Sequence, residues 1–411
     1  MSVTDHVSRL IACALLTGLA GLAPIAAQAE DGTSADGTAV HQSYTDMIAE
    51  DNTQVEARIR QLRTQFEQLP QLSGADRGVV AALVGLDGVQ DYFSTGEMTA
   101  ETPVVLASPT KWFTAAVILR LVELEELSLD QPISTWVEDL PDHLAPLTLR
   151  QLLAHTAGVG TQSTEAKALL MTGLDPRAEP FSSIKPIYDM PLLAAPQTGF
   201  KYDGRGVQLA GWVAQQATGE SWPDLFDELI AEPAGLTASW YGVPGQPDVP
   251  KDQTTNPSIA GGLYATPKDI ITFLGMLLNR GLSAEGERVL APSSIDELRR
   301  LQTAGLSPHE GAGWLPFSAG YSLAGWCMTP VRESCDYQYL VGEFGTTITI
   351  NWGTDQASVV AAMGNNPVHI MSFALSLTKE VDVMVSDGDA PVTNAETENA
   401  DQSNEAQEIP Q

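Results

Sequence analysis

Residues 103–127 read PVVLASPTKWFTAAVILRLVELEEL. A short extended run, Pro103 to Ala107, leads directly into Ser108. From Ser108 to about Leu127 the pattern is helical and apolar on nearly all sides, with Trp112, Phe113, Ala115 to Leu119, Leu121, Val122 and Leu124. A helix without a wide polar face is predicted to lie in a core. Pro109 suits its first turn, where the missing N–H removes no hydrogen bond.

Within this stretch Ser108-Pro109-Thr110-Lys111 has the form S-x-x-K. Residues three apart on a helix are neighbours on one face, so the spacing hangs an amine beside a hydroxyl. Burial disfavours the charged form of an amine, which suits Lys111 to take a proton from Ser108. The helix N-terminus favours a developing oxyanion at the serine.

The spacing by itself does not choose the nucleophile. Ser182-Ser183-Ile184-Lys185 also fits, in a predicted loop between Pro180 and Pro186, and so does Ser376-Leu377-Thr378-Lys379. The latter falls at the end of a predicted final helix, His369 to about Lys379, where a lysine is expected in any case. Only Ser108 joins an extended run to a buried helix. A Ser-His-Asp triad through His155 finds no support, because the chain contains no G-x-S-x-G elbow.

Around this core the order of elements predicts an α+β fold. Val55, Ile59, Leu62, Phe66 and Leu69 recur at spacings of four and three, an amphipathic helix. Val79 to Leu86, Asp87-Gly88 and Gln90 to Ser94 form a hairpin signal. About Leu147 to Leu282 is mostly helical, and extended segments return at Tyr337 to Val341, Thr346 to Trp352 and Ala357 to Met363. Strands first, helices in the middle and strands last predict a sheet lobe built from both chain ends, with a helical lobe inserted. Trp136, Trp212, Trp222 and Trp240 are read as core aromatics.

Composition narrows the function. The chain has 411 residues, 43% of them hydrophobic, with 21 Lys plus Arg against 52 Asp plus Glu and a net charge of −31. That surplus repels nucleic acid and anionic membranes, and neither is an expected partner. Met1 to Arg9 is polar, Leu10 to Ala27 mainly apolar, and Ala27-Gln28-Ala29 resembles a leader cleavage site. The expected divisions are a leader over 1–29, a lead-in and first helix over 30–75, a catalytic domain over 76–381, and an acidic, disordered tail over 382–411. Periplasmic or secreted location follows, with no membrane span. Removal of Cys13 with the leader leaves Cys327 and Cys335, for which a disulfide and two buried thiols both stand open. Neither a metal nor a cofactor is expected, since no further ligand residues cluster nearby.

Four ordered blocks resemble the serine β-lactamase-related family, which includes class C β-lactamases, penicillin-binding-protein-like peptidases and β-lactamase-like esterases. They are Ser108 to Ile133, Leu147 to Gly158, Phe200 to Gly204 with Leu209-Ala210-Gly211, and Ala260 to Asp269. The resemblance covers about Val79 to Met363 and implies the β-lactamase/transpeptidase-like fold. It also implies Ser108 as nucleophile, Lys111 as base and Tyr202 as a proton-relaying phenol, with the backbone N–H groups of Ser108 and Glu343 as an oxyanion hole. On the same grounds His155 packs a loop.

Two motifs depart from the family pattern. Where Tyr-x-Asn is usual, Gly204 stands at the third position, and where Lys or His opens a Lys-Thr-Gly-like strand, Leu340-Val341-Gly342 stands. Gly204, Leu340 and Gly342 are the expected substrate-binding positions. Leu340 cannot hold a substrate carboxylate, so hydrolysis of esters is expected over that of β-lactams. A weak or silent penicillin-binding-like protein holding a cell-wall or peptide ligand stays open, as does a true β-lactamase or D-amino-acid peptidase. The expected partner is a small or peptidic acyl substrate; the oligomeric state is unspecified.

Overall fold

The computed structural model describes residues 57, 60–88, 90–307 and 318–386. The leader with its cleavage after Ala29, the lead-in as far as Val55, Ile59 and the last part of the tail lie outside the described residues.

A seven-stranded antiparallel sheet is assembled from both ends of the chain. Its strands are β1 (Val79–Gly85), β2 (Gln90–Ser94), β6 (Gly320–Tyr321), β7 (Trp326–Val331), β8 (Ser334–Val341), β9 (Thr347–Asn351) and β10 (Gln356–Ala362), in the order β2-β1-β10-β9-β8-β7-β6. The first strand therefore pairs with the last, Val79 opposite Ala362 and Gly85 opposite Gln356. Both faces of β1 are buried, which explains its unbroken apolar run. Val80, Ala82 and Val84 join the main core, while Val79 and Ala81 join a second core under helix α1, residues 60–73. On α1 the predicted stripe points inward through Leu62, Phe66 and Leu69, and the Phe66 ring lies 5.7 Å from that of Phe373.

Phe373 belongs to the last helix, which runs Pro367–Ser386 and not from His369 to Lys379. The tail boundary expected at 382 thus falls inside a helix, which continues through Val381, Met384 and Val385.

The inserted lobe contains α2 (Thr110–Glu123), α3 (Leu149–Leu153), α4 (Thr164–Thr172), α5 (Phe181–Tyr188), α6 (Gly204–Thr218), α7 (Pro267–Leu278) and α8 (Pro292–Arg299); the last helix, Pro367–Ser386, is α9. Helix α2 is buried from Thr110 through Leu119, as its sequence predicted. Ser182 to Lys185 is not a loop: it lies in α5 despite Pro186. Tertiary packing overrides the proline there. Ile184 and Ile187 are buried, and Gln208 of α6 donates to the Ser183 hydroxyl at 3.2 Å.

The extended run before Ser108 does not join the large sheet. Only β3 (Val104–Val105) is strand, and it pairs with β5 (Leu263–Ala265), which pairs with β4 (Trp240–Tyr241). This small sheet has no counterpart in the sequence reading, because strands of two or three residues carry no alternation to detect. It positions the site. Val105 lies opposite Tyr264, Leu106 N–H donates to the Leu263 carbonyl at 2.9 Å, and Leu263 N–H donates to Thr110 Oγ1 at 3.2 Å.

Cys327 and Cys335 are joined by a disulfide across the β7–β8 hairpin, with Cα atoms 5.6 Å apart. Among the described residues no helix is long and apolar enough to cross a membrane.

Candidate active site

Ser108 stands at the corner where β3 becomes α2. Ala107 adopts φ 54°, a left-handed conformation that costs energy for a non-glycine residue and turns the chain sharply. Thr110 N–H then returns to the Ala107 carbonyl at 3.0 Å, starting the helix. Ser108 is left half-buried at the mouth of a buried helix.

Lys111 is 2% exposed, and its amine is held by oxygen acceptors. Its Nζ donates to the Ala260 carbonyl at 2.9 Å and to Ser108 Oγ at 3.4 Å. Among the described residues no carboxylate lies within ion-pair distance of it. The Ala260 carbonyl is available because the residues leading into β5 are stitched beside Ser108 by the small sheet. The sequence flagged the Ala260 block, but no pattern of side chains reveals a backbone acceptor.

Tyr202 faces Lys111 with its ring: Nζ stands 5.0 Å from the ring centroid, a cation–π contact. The phenol oxygen is buried and has no hydrogen-bond partner among the described residues. The ring is stacked on Trp326 at 5.2 Å and tilted against His155 at 4.6 Å.

The chain is pinned on both sides of Tyr202. Lys201 N–H donates to the His155 carbonyl at 3.0 Å, and Asp203 N–H to His155 Nδ1 at 3.4 Å. Asp203 and Arg205 form an ion pair at 2.9 Å with side chains 2% and 4% exposed. The Asp203 carboxylate also caps α6 through Arg205 N–H at 3.0 Å and accepts from Thr161 N–H at 3.0 Å. His155 itself sits at φ 57° between α3 and the following loop. Its ring is buried against those of Tyr202, Tyr321 and Phe200. Burial first, and the nearby Lys111 ammonium second, hold its imidazole well below the ordinary value. With Nδ1 accepting, the neutral ring carries its proton on Nε2, which has no partner among the described residues.

Tyr321, which the sequence reading did not single out, completes the cluster. Its ring lies 5.0 Å from His155 and 6.0 Å from Tyr202, and its buried hydroxyl likewise has no partner among the described residues. Burial, then the proximity of Tyr202, pushes the Tyr321 phenol well above its usual range.

The third motif approaches from β8. A Cβ on Gly342 would sit 2.2 Å from the Leu106 carbonyl, so only glycine permits this contact. The contact brings Gly342 and exposed Glu343 against the turn that carries Ser108. The N–H groups of Ser108 and Glu343 donate to no acceptor among the described residues. Leu340 does not line an open surface. It is wholly buried on the sheet face it shares with Ile348, its register partner, and the substrate contact expected of it is corrected. The strand is buried on that side by the main core. Gly204 is half-buried at the first turn of α6, where an added Cβ would meet Ala260 Cβ at 3.0 Å and Leu170 Cδ2 at 3.1 Å. The amide usual at this position would have to push Leu170 or Ala260 aside.

Among the described residues no group of three His, Cys, Asp or Glu is arranged to hold a metal ion. A cavity of about 610 Å³ lined by Trp212, Glu220, Asp224 and Lys251 includes none of the residues above.

The sequence profile of the Beta-lactamase family matches residues 55–372. The chain belongs to that family. Its fold is β-lactamase/transpeptidase-like, and the family is one of serine hydrolases with esterase and peptidase members. The chain is 32% identical to esterase EstB of Burkholderia gladioli over 161 residues, 36% of this chain and 41% of EstB. It is 24% identical to lovastatin esterase of Penicillium rubens, covering 63% of this chain and 78% of that enzyme. A putative β-lactamase from Bacteroides dorei superposes with TM-score 0.67 at 25% identity, covering 80% of this chain and 98% of that one. The chain spans 41% to 62% of the length of several curated relatives it matches.

Proposed function

We propose that this β-lactamase-family protein is an exported esterase that works through an acyl-enzyme on Ser108. One observation carries the reading: the Lys111 amine is buried, anchored on the Ala260 carbonyl, and reaches Ser108 Oγ. In its neutral form the amine takes the Ser108 proton as Oγ attacks the ester carbonyl. The carbonyl oxygen becomes an oxyanion, received by the N–H groups of Ser108 and Glu343. Tyr202, whose hydroxyl has no competing partner among the described residues, gives a proton to the departing alkoxide. Water then attacks the acyl-serine by the same steps in reverse order, releasing the acid.

Ester specificity over β-lactam specificity rests on Leu340. Its side chain offers no cation and no exposed surface to a substrate carboxylate. The likeness to EstB and lovastatin esterase supports the same preference. Export rests on the polar-then-apolar N-terminus with its Ala27-Gln28-Ala29 site, and on the Cys327–Cys335 disulfide, a bond at home outside a reducing cytosol.

The test is labelling with a fluorophosphonate, followed by turnover of p-nitrophenyl butyrate and nitrocefin. Folded protein should be labelled at Ser108 and hydrolyse the ester in preference, and Ser108→Ala should lose both. Unlabelled Ser108 in folded protein would leave a ligand-binding relative, and efficient nitrocefin turnover lost in Ser108→Ala would leave a β-lactamase.

A further inference from the structure

The phenol oxygen of Tyr202 has no hydrogen-bond partner among the described residues, so no polar group aims it. Its direction is set by what packs against the ring. Against it lie the Lys111 ammonium at 5.0 Å and the rings of His155 at 4.6 Å, Trp326 at 5.2 Å and Tyr321 at 6.0 Å. The planes of His155 and Tyr321 are inclined to that of Tyr202 by 50° and 70°, whereas Trp326 lies stacked at 27°. A stacked ring covers the face of its neighbour and opposes tilting, which an edge contact leaves freer.

Trp326 opens β7, is 3% exposed, and is anchored on both sides. Before it, the turn between β6 and β7 presses on α2. An added Cβ on Gly325 would meet Nε1 of Trp112, the residue after Lys111, at 2.5 Å. Trp326 stands opposite Tyr321 on one side and Tyr339 on the other. After it comes Cys327, bonded to Cys335 of β8. At this place the β7–β8 ladder fails. Register shifts fall between Cys327 and Thr329 and between Thr329 and Pro330, and Pro330 has no N–H to give. From Thr329 to Glu333 the hairpin is exposed.

We infer that Trp326 is a positioning residue: it holds the Tyr202 phenol aimed at the leaving-group oxygen, and the Cys327–Cys335 bond holds Trp326 in register across the broken ladder. The two cysteines are only eight residues apart, and a short loop constrains the unfolded chain less than a long one, which leaves local register as the main effect of the bond. The inference rests on the esterase reading above, in which the Tyr202 hydroxyl gives its proton to the departing alkoxide as the bond between acyl carbon and oxygen breaks. A p-nitrophenolate spreads its charge over its own ring and leaves without that proton; an alkoxide needs it. A misaimed phenol therefore shows as a loss confined to alkyl esters, with the Ser108–Lys111 attack common to both.

The experiment assays the full chain with ethyl butyrate and p-nitrophenyl butyrate, which share one acyl group, and kcat/KM reads acylation alone. Trp326→Leu keeps an apolar side chain but no ring. It should lower kcat/KM at least about tenfold for the ethyl ester and less than about threefold for the p-nitrophenyl ester. Trp326→Phe, which restores a ring, should recover most of that loss. Cys327→Ala/Cys335→Ala should show the same bias, at least about threefold. In a Tyr202→Phe background Trp326→Leu should add no further bias, because the hydroxyl it aims is gone. Each bias is a ratio within one protein, so a partly folded sample does not distort it. Equal losses on both esters, a wild-type ratio in Trp326→Leu or in the cysteine variant, or the full bias added on top of Tyr202→Phe would overturn the inference. Fluorophosphonate labelling separates the two readings. If Ser108 is labelled and no bias appears, the positioning role falls alone; if Ser108 is unlabelled, the hydrolase reading falls first.

Discussion

Removing the Asp203 carboxylate should be among the most damaging single changes near the site. The side chains of Asp203 and Arg205 are 2% and 4% exposed. The carboxylate accepts Arg205 Nη1 at 2.9 and 3.1 Å, Arg205 N–H at 3.0 Å and Thr161 N–H at 3.0 Å. Asp203→Ala removes the carboxylate from the buried Arg205 guanidinium, and breaking a buried pair from one side costs about 3–5 kcal/mol. Loss of the helix cap is part of the same change, worth about 1 kcal/mol when measured alone. The expected destabilisation is about 4 kcal/mol. Arg205→Met leaves the carboxylate buried with only its backbone donors and should cost about 2–4 kcal/mol. The double variant Asp203→Ala/Arg205→Met removes both charges together. It should recover at least about 2 kcal/mol relative to the sum of the single changes. Urea denaturation followed by circular dichroism at pH 7 gives all four corners of the cycle, with shifts read from midpoints at constant slope. A cost below about 1 kcal/mol for Asp203→Ala, or strict additivity in the double variant, would refute the view that this pair is one desolvated unit fixing the Tyr202 turn.

His155 makes stability fall with acid. Its folded imidazole titrates well below the unfolded value of about 6.5, so the unfolded chain binds the extra proton and stability is lost as pH falls below about 6.5, at up to about 1.4 kcal/mol per pH unit. Denaturation midpoints of His155→Phe between pH 7 and 5 should lose that slope, and an unchanged slope would assign the acid sensitivity elsewhere. Tyr321→Phe deletes a buried hydroxyl with no partner among the described residues and should raise stability by about 1 kcal/mol, read as a higher urea midpoint; a clear decrease would show that the hydroxyl is bonded. Gly342→Ala places a methyl 2.2 Å from the Leu106 carbonyl and should cost about 1–3 kcal/mol while slowing fluorophosphonate labelling of Ser108. Wild-type labelling and stability in that variant would mean that β8 and the Ser108 turn are not in contact.

The buried helix α2 was legible because Trp112 to Leu124 is apolar on all sides, a property of consecutive residues that needs no partner to be seen. The flanking strands were legible for the same local reason, since Val79 to Leu86 and Ala357 to Met363 carry β-branched runs. That they pair with each other across more than 270 residues was inferred only from the order of elements, and the register is set by packing on both faces. Ser182 to Lys185 was misread because a proline outweighs neighbours in a local reading, whereas the helix there is held by Gln208 and the core beneath it.

The same division runs through the site. Three S-x-x-K matches are chemically equivalent as text, and local context already favoured the one at the head of a buried helix. What placed the Lys111 amine was a backbone carbonyl from residue 260, delivered by strands too short to leave a pattern. That Leu340 offers no cation is legible from its side chain alone, but its burial depended on which face of β8 meets the core. Residue types and periodicity act over a few positions, so they determine where a helix, a strand and a candidate nucleophile lie. The partners that bury, orient or leave bare a polar atom come from distant segments, and only the assembled fold brings them within hydrogen-bonding range.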